Sequence, residues 1–437
     1  MKILKSLLCS AALVLGGMMM TGPAMALSPT AATPMTQKAP QERQARPVLL
    51  VSIDGLSPDS LFRADELGLK IPTLRALMAE GAAAKRMINV NPTVTNPNHI
   101  SMITGTSPAV HGVFNNRPFI PAAKLPAGYR DYQHIKVPTL WSAAKAAGLR
   151  TASLFWPVTQ NSGAAIDHNV ITGSSTDDAA ITRDAIAIME RAKPELMTVH
   201  YVSHDAAQHK HGPWTPEAFA SLERIDAELG QLIAAHKRLY NDPIMAVASD
   251  HGFFQIRNRV HLNSAFVEAG LIRLDENAEN GVSDWRAFAW YVGGMAMIVL
   301  KDPANVQLRA EVDAFLAKLA KRPDAAIDRI YTREELQGRG LSDQAQYVIA
   351  LKEGHHMGTD MTGLLLRPYQ GGAHGAFTAS DTRTEMHAAF IIAGKGIASG
   401  QDLGTIDIRQ IAPTLAQYLA ISLPTAQLKP ITLRQSQ

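Results

Sequence analysis

Val48-Leu-Leu-Val-Ser-Ile-Asp54 and Ile244-Met-Ala-Val-Ala-Ser-Asp250-His251 are two short apolar runs, each closing on an aspartate. A near-continuous apolar run of this length suits a parallel strand buried on both faces. In open α/β sheets ligands bind beyond the carboxyl ends of the strands. Acids standing at those ends are therefore placed for chemistry. Between the two runs lies a further pair, Asp205 and His209, four residues apart. Carboxylates at strand ends with histidines beside them are what a bound metal pair needs, which points to a hydrolase.

Working outward, the chain alternates apolar runs with helical periodicity from Pro47 onward, the signature of an α/β sheet with covered faces. The expected strands are Val48–Ile53, Thr151–Phe155, Leu196–Val202, Ile244–Ala248 and Ala389–Ala393. Thr215-Pro216-Glu217 reads as an N-cap followed by proline in the first turn. Leu222, Ile225, Leu229 and Ile233 then recur at helical spacing. Pro72 to Gly81 and Thr139 to Gly148 read as helices ending at glycine caps. From about Phe254 to Pro368 the rhythm breaks, with a helix near Val306–Leu319 and short strands such as Met295–Leu300. The expectation is a smaller cap-like insertion, returning to the main sheet near His374, in a catalytic domain of residues 47–437. No internal repeat is visible.

The N-terminus reads as a secretory signal. Lys2 and Lys5 precede the apolar run Leu7 to Met20, and Ala24-Met25-Ala26 is a small-x-small cleavage pattern. Residues 1–26 form the expected signal peptide, and residues 27–46, rich in Ala, Pro, Thr and Gln, a flexible linker. The run is too short and wrongly flanked for a strong anchor, so no stable membrane anchor is expected after cleavage. Cys9 is the single cysteine of the chain. A mature chain without disulfides suits a periplasmic or secreted bacterial enzyme stabilised by its core alone. The chain has 42 Lys+Arg and 39 Asp+Glu. The signal holds two lysines and no acids, so the mature balance is 40 against 39. With no basic run, the footprint of a nucleic-acid binder is missing.

Asp205 and His209 would share one helix face, and a turning backbone can aim both Asp250 and His251 inward. With Asp54 and His374 this makes three carboxylates and three imidazoles, a mixture suited to zinc. Two-metal sites with ions ~3.5–4 Å apart drive phosphoryl transfer. Thr95-Asn96-Pro97-Asn98-His99 offers a nucleophile. Asn96 can cap a helix that starts at Pro97 and runs to Gly105, leaving the Thr95 hydroxyl beside free N–H groups at its positive end. The spacing equally allows Thr95 to be a capping residue and nothing more.

The motifs resemble the alkaline phosphatase superfamily, and within it the nucleotide pyrophosphatase/phosphodiesterase family. The matching blocks are VLLVSIDGL (48–56), NPTVTNPNHISMITGTSPAVHGVFNN (91–116), HDAAQHKHGP (204–213), ASDHGF (248–253) and GGAHGAF (371–377). The tail segments IIAGKGI and IRQIAPTLAQYLAI are similar to that family's closing strand and helix. The resemblance implies an alkaline-phosphatase-like, mostly parallel sheet covered by helices on both faces. It implies two Zn2+ ions, one held by Asp54, Asp250 and His251 with Thr95 on it, the other by Asp205, His209 and His374. Asn116 and the backbone N–H of Asn96 would donate to phosphoryl oxygens. The implied reaction is in-line attack by Thr95, a phosphothreonine intermediate, and its hydrolysis by water on the second metal.

The departures bear on substrate, which is expected to be a small phosphorylated molecule: a nucleotide, a lipid head group or a phosphonate. Nucleotide-cleaving members have an aromatic residue after the nucleophile, where this chain has Asn96. They also have a tyrosine five residues before the first Asp of the D-x3-H block, where this chain has His200. Base stacking is then absent or supplied by the cap. The Thr-Asn-Pro-Asn run also resembles phosphonoacetate hydrolases, although His99 stands where an asparagine is expected. A sulfatase would need a Cys or Ser nucleophile in a Cys/Ser-x-Pro-x-Arg context, which the mature chain lacks. A phosphomonoesterase competes with a diesterase on the same metals; no third metal site or bidentate arginine clamp is legible, which leans toward diesters. A third reading is a non-catalytic exported binding protein. His204 and His211 flank the Asp205–His209 pair as supporting or solvated residues. His99 and His111 read as structural, and His355-His356 as a loop that can border the pocket.

Overall fold

The Val48–Ile53 strand sits inside a nine-stranded sheet, with Leu196–Tyr201 on one side and Ile244–Ala248 on the other, both parallel to it. The structure, a computed structural model, describes residues 44–171, 177–378 and 381–436. The expected signal and nearly all of the expected linker lie outside the described residues. The sheet runs Gln401–Asp402, Ala82–Ile88, Ala388–Gly394, Ile244–Ala248, Val48–Ile53, Leu196–Tyr201, Thr151–Leu154, His168–Val170, with Thr405–Asp407 also on Ala82–Ile88. Alternate residues of Val48–Ile53 enter two different cores. Val48 and Leu50 pack with Ile100, Ile103 and Leu415, whereas Leu49, Val51 and Ile53 pack with Leu74, Leu222 and Ile225. Helices therefore cover both faces, and this is why the strand reads as unbroken apolar sequence.

Local signals set several boundaries. Thr215 Oγ1 accepts from Ala218 N–H at 3.3 Å and starts the helix Pro216–Leu239. Thr139 and Ser142 cap each other reciprocally at the start of Leu140–Ala146. Other expectations need correction. Gly81 follows the helix Pro72–Glu80 but is not a left-handed cap: its φ is −134°. A Cβ there would lie 2.2 Å from the Ile392 carbonyl oxygen, so glycine is required by close strand approach. The last expected strand exists as Ala388–Gly394, but it runs antiparallel to both Ile244–Ala248 and Ala82–Ile88. An apolar run reports burial on both faces, and direction follows from where the chain enters. Here it enters from the end of the sheet that carries His251 and His374. Ala82–Ile88 is a strand that the sequence hides, because three alanines followed by Lys85 and Arg86 carry little strand signal.

The segment expected as an insertion, about 254–368, builds a second sheet in the order Ala287–Tyr291, Met295–Leu300, Ala345–Leu351, Ile327–Thr332. The helices Leu262–Glu268 and Val306–Leu319 contribute to its core. Its first strand, Phe254–Val260, pairs antiparallel with the strand Leu366–Ala373 that leads out of it, with Phe254 opposite Ala373 and Gln255 opposite Gly372. That pairing delivers His374 to the end of the main sheet. Gln44–Gln437 form one compact unit. Among the described residues no helix is long and apolar enough to cross a membrane.

Candidate metal centre

Parallel register brings the acids together. Ile53 pairs with Tyr201, and Ser52 with Ala248, so Asp54, Asp250 and the helix Ser203–His211 emerge side by side. The turn after Asp54 is stitched to its neighbour. Gly55 N–H donates to Asp250 Oδ1 at 3.1 Å and Leu56 N–H to Ser249 Oγ at 2.8 Å. Gly55 has φ +73°, and a Cβ there would approach Phe253 and Gln208 to 2.7–2.8 Å. Only glycine fits that turn without displacement.

Each histidine of the set is oriented from behind by a backbone carbonyl. Nδ1 of His251 meets Gly252 O at 3.2 Å, that of His209 meets Gly372 O at 3.1 Å, and that of His374 meets Thr93 O at 3.3 Å. A carbonyl only accepts, so Nδ1 carries the proton and Nε2 presents its lone pair inward. Those lone pairs face carboxylate oxygens. His251 Nε2 lies 3.1 Å from Asp250 Oδ2 and 3.4 Å from Asp54 Oδ1. His209 and His374 Nε2 lie 3.4 and 3.8 Å from Asp205 Oδ1. The three carboxylate oxygens, Asp54 Oδ1, Asp205 Oδ1 and Asp250 Oδ2, are buried without a hydrogen-bond partner. Lone pairs facing anions repel unless a cation stands between them, so this donor set fits metal ions of the kind bound by N/O ligands.

Donor atoms within 4.8 Å of one another form two groups, Asp54–Asp250–His251 and Asp205–His251–His374. The first is the set expected for one ion. The second differs from expectation: His251, stacked on His374 at 3.7 Å, is shared, while His209 stands slightly apart. Burial, then Asp250 and Asp205, push the Asp54 carboxyl well above the usual range. Burial also raises Asp205, with His209 and His251 opposing. Asp250 is pushed up by burial, but His251, His99 and His200 hold it below. Burial and the neighbouring His251 and His209 take His374 well below an ordinary imidazole.

Thr95 is the first residue of the helix Thr95–Thr104, and its Oγ1 lies 3.5 Å from His251 Nε2. The helix starts earlier than expected, with Val94 at the cap position, so Asn96 is not its cap. Instead Asn96 N–H donates to Asn116 Oδ1 at 2.8 Å, and Asn96 Nδ2 reaches the carbonyls of Asn116 and Tyr129 at 3.3 Å. That N–H is engaged in holding Asn116 and is not a free donor. Asn98 ties the preceding loop down, accepting from Val90 N–H at 2.9 Å and donating to Val94 O at 2.9 Å.

The other histidines separate clearly. His204 packs onto the Pro216–Leu239 helix through Ser221 Oγ at 3.0 Å and Ala218 O at 3.2 Å, and His211 is exposed; neither touches the cluster. His111 bonds Ser101 Oγ at 3.2 Å and Val113 N–H at 3.1 Å. His99 lies under the centre, with Nδ1 2.9 Å from Thr95 O and 3.5 Å from Asp250 Oδ2. His356 is buried in the cavity wall, whereas His355 is not part of it.

In sequence His200 is only a departure from the family pattern. In the fold its Nε2 lies 2.9 Å from Asp54 Oδ2 while Nδ1 meets Phe155 O at 3.1 Å, so it braces a member of the cluster. Asp54, Thr95, Asn96, Asn116, Asp205, His209 and His374 line a cavity of about 510 Å3 whose walls also include Arg117, Tyr129, Arg130 and Tyr291. Tyr129 and Tyr291 are aromatic surfaces that sequence reasoning did not find. The adjacency of Arg117 to Asn116 was the one available signal for that arginine.

A mostly parallel sheet with a buried acid–imidazole cluster at its carboxyl ends, one hydroxyl beside the cluster and an open cavity above forms a scaffold suited to holding metal ions. A family model described as type I phosphodiesterase/nucleotide pyrophosphatase matches residues 48–376, and the chain belongs to that family. It is 28% identical over 248 residues to ectonucleotide pyrophosphatase/phosphodiesterase family member 1 of Mus musculus, covering 52% of this chain and 26% of that protein. It is 27% identical over 237 residues to the venom phosphodiesterase of Macrovipera lebetinus, covering 50% and 27%. The chain thus spans about a quarter of the length of these relatives. In fold it is similar to murine ectonucleotide pyrophosphatase/phosphodiesterase 5, with TM-score 0.68 and 21% identity over 89% of this chain and 98% of that one. The same murine protein is also known as an inactive threonine-to-alanine variant in complex with AMP, with TM-score 0.67, 21% identity, and coverage of 89% and 97%.

Proposed function

We propose that the protein hydrolyses phosphodiester or pyrophosphate bonds of small phosphorylated substrates outside the cytoplasm, with Thr95 as nucleophile and two zinc ions as cofactors. The observation that carries this reading is the set of three buried carboxylate oxygens without partners, faced by imidazole lone pairs, within reach of the Thr95 hydroxyl. Asp54, Asp250 and His251 would hold one ion, and Asp205, His209 and His374 the other. When bound, the ions supply Lewis-acid stabilisation of charge on the phosphoryl oxygens and lower the pKa of the threonine hydroxyl.

The remaining steps belong to the chain. Thr95 Oγ attacks phosphorus in line as the bond to the leaving oxygen breaks, giving a phosphothreonine. The hydroxyl proton leaves with solvent or the departing group. Water then cleaves the Oγ–P bond and restores the hydroxyl. Asn116 Nδ2 donates to a phosphoryl oxygen, and Asn96 N–H keeps Asn116 aimed by holding its Oδ1. The positive end of the Thr95–Thr104 helix favours the anion. The 254–368 segment serves as the cap wall through Tyr291 and His356, and the Tyr129 and Tyr291 rings offer the aromatic surface missing at Asn96 and His200. The related murine protein whose inactive form carries a threonine-to-alanine change supports the role of Thr95.

The test is turnover of p-nitrophenyl-linked mono- and diesters with and without a chelator, alongside zinc stoichiometry. Chelator-sensitive diester hydrolysis restored by zinc is expected. Metal-independent turnover, or none on either substrate after zinc loading, overturns the reading.

A further inference from the structure

We infer that the cavity carries a second anion subsite, built by Arg117 and Arg130, so that the preferred substrate bears another negative group besides the reacting phosphate. This rests on the reading above and names its substrate class. The two arginines stand at the feet of one loop. The loop leaves the site after Asn116 and returns at Tyr129, whose N–H donates to Asn116 O at 3.0 Å. Asn96 Nδ2 clamps both feet through the carbonyls of Asn116 and Tyr129. Arg117 and Arg130 therefore sit beside the residues that address the phosphoryl group, and both line its cavity.

Neither guanidinium has an ion-pair partner among the described residues. Arg117 is half-buried and spends one N–H on the Pro126 carbonyl, whereas Arg130 is exposed to solvent and free to reach toward an anion. A guanidinium has five donors, and withdrawing it from water without an anion is unfavourable. Asp54 and Asp205 are the acids in the cavity lining, and both belong to the metal cluster. With Thr95 as the hydroxyl, three carboxylates against two dications leave one positive charge, which a diester monoanion balances. The two arginines then remain uncompensated. Their planar forks suit a carboxylate or a phosphate, which share this chemistry.

The test uses three p-nitrophenyl phosphodiesters that differ in the second alkyl group: methyl, 2-carboxyethyl and 2-phosphonoethyl. Wild-type kcat/KM should favour at least one charged arm over methyl by tenfold or more, and Arg117→Gln with Arg130→Gln should bring the ratio close to one. The arm with the larger gain identifies the anion as carboxylate-like or phosphate-like. In calorimetry, 2-carboxyethyl phosphate should bind more tightly than propyl phosphate, with the difference lost in the double variant. A wild-type ratio near one for both charged arms, or a ratio untouched by the double variant, overturns the subsite while leaving diester hydrolysis standing. The affinity difference without chelator-sensitive turnover supports the subsite and overturns the catalytic reading instead.

Discussion

Replacing Asp54 with asparagine should push stability in opposite directions depending on metal. The donor oxygens of Asp54 and Asp250 lie within 4.8 Å of each other. At an effective dielectric of about 20, two unit charges at that separation repel by about 3.5 kcal/mol. The neutral amide removes that repulsion and still offers the His200 ring a polar partner in place of the 2.9 Å contact. Rearranging that contact offsets part of the gain, about 1 kcal/mol or more. Above the raised Asp54 pKa, where both carboxylates are ionised, metal-free Asp54→Asn should therefore be more stable than metal-free wild type by about 1–2.5 kcal/mol. With an unfolding entropy of about 2.1 cal/mol/K per residue across the unit Gln44–Gln437, that is a rise in Tm of about 1–3 °C. With zinc present the order should reverse, because a ligand held at a hundred times its Kd adds about 2.7 kcal/mol to the wild type alone. Differential scanning calorimetry with chelator and with zinc measures both. A metal-free variant that melts at or below wild type, or one that binds zinc as wild type does, refutes the reasoning.

Thr95→Ala should abolish turnover by several orders of magnitude while retaining wild-type zinc content and Tm; a folded variant with wild-type kcat would remove Thr95 from its proposed role. Asn116→Ala should lower kcat by about 10²–10³, the range for losing one donor to a developing oxyanion, and unchanged kinetics would deny Asn116 that contact. His236, in the last turn of the Pro216–Leu239 helix, is buried with Nδ1 lacking a partner, and burial lowers it to about 4. Its folded value lies below the unfolded one, so it supports the fold above about pH 6.5 and that support is lost as pH falls toward 4. His236→Phe should flatten this acid limb by up to about 3 kcal/mol, following 1.36 kcal/mol per unit, in chemical denaturation at pH 7 and pH 4.5. An unchanged slope would show that His236 does not titrate with unfolding.

Legibility followed range. Asp54 and Asp250 were readable because each ends an apolar run, and a parallel strand buried on both faces imposes that run locally. The Pro216–Leu239 helix was readable from its cap and spacing. The antiparallel direction of Ala388–Gly394 was not, since burial looks the same either way. His200 looks in sequence like a lost tyrosine, yet it stands against Asp54 across a strand pair. Asn96 looks like a cap, but its N–H belongs to Asn116, twenty residues on.

By itself the amino-acid order determined the strands, the acids at their ends, the helix that presents Asp205 and His209, and the family motifs. Those are effects of neighbours a few residues apart. Tertiary structure alone decided that His251 stands between two carboxylate groups, which imidazole nitrogen faces inward, and that Arg117, Tyr129, Arg130 and Tyr291 share one cavity. Such choices depend on contacts between residues brought together across the whole sheet, and no local periodicity records them.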